Sequence, residues 1–295
     1  MPESSVAAGI ATAGHRRAIL LLLAAMVCVA CVDTIAKLLT AELPVIQIAW
    51  ARFFFIFVCF GPFFVRTGAS LVRSGNLRVQ LFRAGLQVVS TFSFFTALKY
   101  MPVADVVAIA FAAPLFMIVL AGPMLGEQPG LHRCLAVLVG LGGVCVIVRP
   151  GFVTPNWGMA LAILAAFSFA LFQVLTRILA RTDGSLTTLF YSTVVGAVLL
   201  TATVPTVWVA PSPMLWLLMA GLGLFGAIAH ALMVEAFSTA PTSTLAPFTY
   251  VEIVWATLLG YLVFGDLPDR WVVVGAAIVV ASGLYAFTRE GRPRG

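Results

Sequence analysis

Residues Ala97–Pro129, ALKYMPVADVVAIAFAAPLFMIVLAGPMLGEQP, return at Ala236–Pro268 as AFSTAPTSTLAPFTYVEIVWATLLGYLVFGDLP, with no gap and an offset of 139. Pro102 falls on Pro241, Leu120 on Leu259, Gly126 on Gly265 and Pro129 on Pro268. Glu127 becomes Asp266, an acid in both copies. At an offset of 140 the earlier parts match too: Ala25 meets Ala165, Ala30 meets Ala170, Lys37 meets Arg177 and Leu39 meets Leu179. The chain is two versions of one unit, and any fold for it must pack two such units together.

The solvent of these units follows from their composition. Hydrophobic residues make up 62% of the chain and charged residues 9%, where a soluble domain carries about a quarter charged residues. That much apolar surface cannot be hidden inside a core, so it faces lipid. Open sheet is excluded because lipid cannot satisfy its backbone edges, which leaves an all-α polytopic membrane protein. Ten apolar runs stand out, at 17–40, 45–65, 77–98, 103–124, 131–149, 157–180, 186–208, 214–238, 242–264 and 270–288. Each is near the ~20 residues a helix needs to cross the hydrocarbon. The connections are short and marked by Pro44, Gly75, Pro102, Pro129, Pro150, Gly184, Pro213, Pro241 and Pro268, which leaves no room for a soluble domain. The bilayer and a small-molecule solute are the expected partners, and the net charge of +6 is expected to set orientation, not to bind nucleic acid. Residues 1–16 read as a disordered tail. His15, Arg16 and Arg17 then lead into a run that reaches Leu39 without a cleavage site, hence a retained first span. Cys28 and Cys31 form a CxxC inside that run. They read as small packing residues, and no metal or cofactor is expected.

Charge then orients the chain. With the N-terminus inside, the inner segments carry eleven arginines: Arg16, Arg17, Arg66, Arg73, Arg78, Arg133, Arg177, Arg181, Arg289, Arg292 and Arg294. The outer segments carry four basic residues, Lys37, Lys99, Arg149 and Arg270. This positive-inside bias places both termini in the cytoplasm. Five spans per unit is an odd number, so the second unit (153–290) is inverted relative to the first (17–152), with 291–295 as a second tail. Inverted five-helix repeats around a midplane cavity are an architecture of secondary transporters, because exchanging the roles of the halves opens one site to either side. The fifth and tenth spans carry small residues at close spacing: Ala136, Gly140, Gly142 and Gly143, then Gly275, Ala277, Ala281 and Gly283. Such spacing lets backbones approach closely, so these two spans read as scaffold. They would pack on each other's half or on a second subunit, leaving a monomer or a homodimer.

The ends of the fourth and ninth spans, AFAAPLFMIVLAGPMLGEQP and APFTYVEIVWATLLGYLVFGDLPDRW, followed by GAAIVVASGLY, resemble the EamA-type carriers of the drug/metabolite transporter superfamily. The likeness covers about residues 17–290. It implies a ten-helix inner-membrane carrier for small polar metabolites, commonly an exporter of amino acids or related compounds; others in the superfamily move nucleotide sugars and sugar phosphates. Where the family often has Glu-Pro, this chain has Glu252–Ile253, so that proline is lost from the ninth span, whereas Pro114 keeps it in the fourth.

An ionisable group at membrane depth costs several kcal/mol unless it meets a cavity or a partner. Glu252 lies ten residues into its span, about 15 Å along the axis and near the midplane. It could hold a substrate ammonium, carry a coupled proton, or bond a neighbouring helix. Thr249, Trp255 and Phe248 share its face. Asp33 and Lys37, i and i+4 on the first span, predict a mutual ion pair at the outer end, either a gate or a structural pair. Arg52 is the candidate for a substrate carboxylate, or it snorkels to the interface. Arg83 shares a face with Gln87 and is expected to snorkel inward, while Gln87 could line the path. Gln173 and Arg177 repeat the Asp33/Lys37 positions in the second unit and are candidates for an inner gate. His230 could shuttle protons or bond structurally. Tyr191 and Tyr250 could be cavity aromatics or interface anchors.

The midplane is poor in positive charge, which favours an amino acid or a similarly amphipathic solute over a phosphorylated one, since phosphate asks for a tight basic cluster. The leading expectation is therefore a secondary carrier, most simply an amino-acid exporter. A carrier of nucleobase-like, nucleotide-like or phosphorylated metabolites, or a passive facilitator, is the alternative. Without H-E-x-x-H, G-x-S-x-G or Walker motifs, an intramembrane enzyme is disfavoured.

Overall fold

A computed structural model of the chain describes residues 2–126, 131–149, 156–240, 245 and 248–288. Glu127, Pro129, Pro150, Pro241 and the tail 291–295 lie outside them. Eleven α-helices have bounds in the described residues: α1 (Pro2–Leu39), α2 (Val45–Thr67), α3 (Leu77–Tyr100), α4 (Val103–Ala110), α5 (Ala113–Leu125), α6 (Leu131–Val148), α7 (Trp157–Leu179), α8 (Ser185–Thr203), α9 (Pro213–Thr239), α10 (Val251–Phe264) and α11 (Arg270–Thr288). No strand occurs among the described residues. Seven stretches are long and apolar enough to cross a membrane, with α4 and α5 counted as one, and Cys134–Val148, Val251–Phe264 and Arg270–Tyr285 are shorter apolar helices. The protein is an all-helical, multi-pass membrane protein. The stretch expected as a disordered tail is helical from Pro2. It is rich in alanine, the best helix former, and it continues a helix already nucleated in the span.

Helix ends follow local chemistry. Asn76 caps α3 by accepting from the Val79 N–H, Asn156 caps α7 by accepting from Gly158, and Ser212 caps α9 by accepting from Leu215. The glycines that close the two repeat copies, Gly126 and Gly265, end α5 and α10 with φ of 71° and 72°. That left-handed conformation favours glycine, which has no Cβ to clash.

The bundle has two faces, a proximal one near Arg17 and a distal one near Lys37. The two halves interlock: α1 packs on α9 and α10, α2 on α8 and α9, α3 on α7 and α8, α4 on α10, α5 on α7, and α6 on α11. The main core cluster joins Phe53, Phe95, Ile109, Met219 and Leu222 from both halves. Large apolar side chains such as Val65, Leu217 and Leu262 point outward, where lipid is their solvent. Trp157, Trp208 and Trp271 are exposed at the distal ends of their segments, as an interfacial aromatic belt requires.

Two features differ from sequence expectation. The helix break before Pro114, at Phe111–Ala112, has a counterpart at Tyr250 even though no proline follows it. Pro114 lacks an N–H, which loosens the first break. The second is held by packing instead: the Tyr250 ring lies 4.9 Å from the Phe111 ring, and a Cβ on Gly283 would clash with its hydroxyl. Second, the small residues of α6 are not equivalent. A Cβ on Gly143 would meet the Gly275 carbonyl at 2.9 Å, whereas one on Gly142 would meet nothing within 4 Å. So α6 and α11 use one glycine face on each other, within one chain.

Candidate functional site

Between α2, α3, α7, α8 and α9 lies a cavity of about 640 Å³ that runs from Arg52 to Asp183, Ser185 and Glu235 at the proximal face. That volume is within the ~300–1,000 Å³ usual for small-molecule sites. Arg52, Gln87, Gln173 and His230 all line it, so four of the sequence candidates converge from four helices. Phe53, Phe60, Phe63 and Phe172 supply its aromatic wall.

Arg52 donates from Nη1 to Thr91 Oγ1 at 3.0 Å and lies 5.6 Å from the Phe95 ring centroid. It does not snorkel. Gln87 sits one turn before Thr91 on α3, and its Oε1 is buried without a hydrogen-bond partner. Arg83 also departs from expectation. It is buried, donating from Nε to Thr176 Oγ1 at 2.6 Å and from Nη1 to Ser192 Oγ at 2.8 Å and the Thr188 carbonyl at 3.2 Å. Its guanidinium lies 4.2 Å from the Phe172 ring centroid. A desolvated guanidinium with such partners is held within the protein, and α7 and α8, which supply them, belong to the other half. Asp33 of α1 is buried with its Oδ2 lacking a hydrogen-bond partner, and neither it nor Glu252 lines the cavity. Glu252 is in the first turn of α10, where the helix dipole favours a carboxylate.

Other candidates fall elsewhere. Lys37 does not pair with Asp33. It donates to Asp266 Oδ2 at 2.6 Å and lies 4.6 Å from the Phe264 ring centroid. Lys37 lies a turn nearer the distal end of the same helix face, and its long stem reaches on to the α10–α11 connection. Arg149 donates to Asp269 beside it, and burial, which would raise the Asp269 pKa, is outweighed by the Trp271 N–H and Arg149, which hold it below the usual carboxylate range. Gln47 exchanges two bonds with the Val209 backbone, at 2.8 and 3.0 Å, and the rings of Trp50, Trp208 and Trp216 meet at 5.5–6.5 Å. These contacts close the distal face. Arg177 is exposed one turn beyond Gln173. Tyr191 is buried and donates to the Val72 carbonyl at 2.8 Å, a tie between segments that leaves it off the cavity wall. Tyr250 packs as described, Trp255 packs against the α1–α9 core, and Thr249 is half-buried; none of the three lines the cavity.

At the proximal mouth, Asp183 accepts from Ser74 Oγ, from the Gly75 N–H at 2.7 Å and from Gln80 Nε2 at 2.7 Å. It latches the α7–α8 connection to the start of α3. Burial pushes its carboxyl up, but the bonds from Ser74, Gln80 and Gly75 outweigh this and hold it below the ordinary aspartate value. The depressed pKa makes the latch fully stabilising above the unfolded value of about 3.9 and lost as pH falls through the folded value. Asp183→Asn is therefore expected to cost about 1 kcal/mol at pH 7, allowing for solvent screening. Thermal unfolding should show that deficit shrinking once wild type is taken below about pH 3.9; a pH-independent deficit would argue against the charged latch.

A family model described as "EamA-like transporter family" matches residues 16–149 and 156–288. An S-adenosylmethionine uptake transporter of Rickettsia prowazekii is 29% identical over 258 residues, covering 88% of each chain. A riboflavin transporter of Vibrio cholerae is 28% identical over 259 residues, covering 86% of this chain and 87% of its own. A pseudopaline exporter of Pseudomonas aeruginosa is 24% identical over 265 residues, covering 88% and 92%. One crystal structure, 20% identical, superposes with a TM-score of 0.64 over 93% of this chain and 99% of its own, which speaks to fold alone.

Proposed function

Since this chain belongs to the EamA-like transporter family, a family of small-molecule transporters and not of enzymes, we infer that it is an alternating-access carrier for a carboxylated metabolite bearing a flat heteroaromatic ring. S-adenosylmethionine is the first candidate. The observation that carries this reading is the cavity wall: the Arg52 guanidinium and the unpartnered Gln87 acceptor beside four phenylalanine rings. A guanidinium suits a carboxylate, an amide acceptor suits an amino group, and phenylalanine faces suit a stacked heterocycle. The preference for free amino acids gives way to this larger solute. The relatives are named for S-adenosylmethionine, riboflavin and pseudopaline, and the cavity has room beyond an amino acid. A phosphorylated solute fits less well, because Arg83, which also lines the cavity, has its Nε and Nη1 donors engaged by Thr176, Thr188 and Ser192, so the wall offers no tight basic cluster.

We read the spans as ten in two inverted repeats, an arrangement that suits alternating access. Two inter-half pairings have exchanged counterparts: α1 on α9 answers α7 on α3, and α2 on α9 answers α8 on α3. Phe111 and Tyr250, equivalent at the offset of 139, touch each other, as residues near a pseudo-two-fold axis do. The distal closure with a proximal cavity describes one of the two states. Arg66, Arg73, Arg78 and Arg181 at the proximal face support a cytoplasmic N-terminus and an inner-membrane location. In proteoliposomes, counterflow of labelled S-adenosylmethionine is expected to saturate and to compete poorly with free amino acids and sugar phosphates. Exchange of free amino acids alone would overturn the substrate reading.

A further inference from the structure

Where α2 meets α8, the two units differ in bulk. These helices pack on each other and are equivalent at the offset of 140, Val45 with Ser185. Arg52, Phe53 and Ile56 of α2 therefore correspond to Ser192, Thr193 and Gly196 of α8. All but Gly196 line the cavity. Gly196 stands behind the wall. A Cβ on it would lie 2.3 Å from Phe53 Cδ1, 2.6 Å from Cε1 and 2.7 Å from Cγ. One edge of the Phe53 ring thus rests on the α8 backbone, closer than any residue but glycine allows. Both residues are buried. Phe53 otherwise belongs to the core cluster with Phe95, Ile109 and Met219, and a close-packed core yields no space. The cavity is the open side of the ring, so a methyl at Gly196 would drive the ring into it. The neighbouring hydroxyls also stay on their own helix: Ser192 donates to the Thr188 carbonyl at 3.0 Å and Thr193 to the Leu189 carbonyl at 2.8 Å.

We propose that Gly196 is a positioning residue for solute size. By letting Phe53 lie back against α8, it keeps the cavity wide enough for a ring-bearing solute, and a side chain there narrows the site against bulky solutes. This rests on the reading of the cavity as the site of such a solute. Ile56, the equivalent position on α2, already fills its share of the wall with a side chain. The width is therefore set from the α8 side, where the second copy of the unit has lost bulk that the first retains.

Gly196→Ala should raise the half-saturating concentration of S-adenosylmethionine in counterflow by about 10–100-fold, the scale on which one misplaced carbon in a pocket discriminates. The concentration of methionine, which has no ring, needed to compete should not move. With Phe53→Leu already in place, adding Gly196→Ala should change nothing, because the ring that the methyl strikes is gone. Gly221→Ala, whose Cβ would meet Ile35 at an ordinary 3.8 Å, should match wild type. Equal losses for both solutes, or a methyl effect that persists with Phe53→Leu, overturns the proposal. A second arm needs no solute. With Gln87→Cys in a background lacking the native cysteines, Gly196→Ala should slow a bulky aromatic thiosulfonate about tenfold and leave a methyl thiosulfonate unaffected. Equal slowing of the two reagents overturns the proposal. So does a Gly196→Ala protein that fails to fold: if Phe53→Leu rescues it, the ring had no cavity to enter, and if not, Gly196 does not act through Phe53. The reagent effect without any S-adenosylmethionine counterflow in wild type sinks the solute assignment and leaves the role of Gly196 standing.

Discussion

Arg52→Gln lowers flux of a carboxylated solute by about 10–100-fold, the loss expected when a charge-assisted bond of about 1.5–3 kcal/mol is removed. The glutamine can still donate to Thr91, so the local α2–α3 tie is kept. The change also removes a cation that interacts with the buried carboxyl of Asp33, and a buried unpaired charge is itself destabilising. Pairing the change with Asp33→Asn restores neutrality. The double variant should therefore recover a monodisperse, thermally stable protein in detergent without recovering flux. Uptake into proteoliposomes measured beside unfolding temperature separates the two effects. Wild-type flux from Arg52→Gln would remove Arg52 from the solute site; recovery of flux with the second change would mean that the guanidinium served only to balance charge.

Gly275→Val is the substitution expected to damage the fold most. A Cβ there would lie 2.6 Å from the Gly143 carbonyl oxygen and 2.5 Å from Ile147 Cγ1. The carbonyl is backbone and cannot rotate aside, so α6 and α11 must separate along their crossing. In lipid no hydrophobic force presses helices together, and contact of backbones at small residues supplies the attraction. Overpacking of this kind costs about 1–3 kcal/mol or more. Gly142→Val, on α6 one residue before Gly143 and with nothing within 4 Å of its Cβ, should stay within about 0.5 kcal/mol of wild type. Thermal unfolding of the pair in one detergent decides the matter: equal stabilities would mean that the crossing of α6 and α11 is not the close one described.

The site was legible in proportion to how local its signals are. Arg52, Gln87, Gln173 and His230 were marked by polarity inside apolar runs, and all four line the cavity. Arg83 carried the same mark, yet its retention depends on Thr176, Thr188 and Ser192, which sit on helices of the other half. Spacing along one helix suggested Asp33 with Lys37, but the true partner of Lys37 is 229 residues away. Tyr191 and Tyr250 are polar-tipped aromatics, and nothing in their own neighbourhoods distinguishes a cavity wall from a packed core. Asp183 gave no signal, because its three donors come from the connection before α3 and from Gln80 in its first turn.

By itself the sequence determined what acts within a few residues or through solvent: apolar runs that only lipid can satisfy, the doubled unit at an offset of 139, and the glycines whose place after α5 and α10 asks for positive φ. Only the tertiary structure decided what depends on helices crossing between halves. It keeps the ninth-span break at Tyr250 without a counterpart of Pro114, through Phe111 and Gly283. It separates Gly143 from Gly142 by the direction of α11, and it holds Arg52 on the wall of a solute-sized cavity through Thr91. Hydrophobic periodicity states which residues avoid water, but the partner of a buried charge is fixed by packing in three dimensions, and that information is spread over both copies of the repeat.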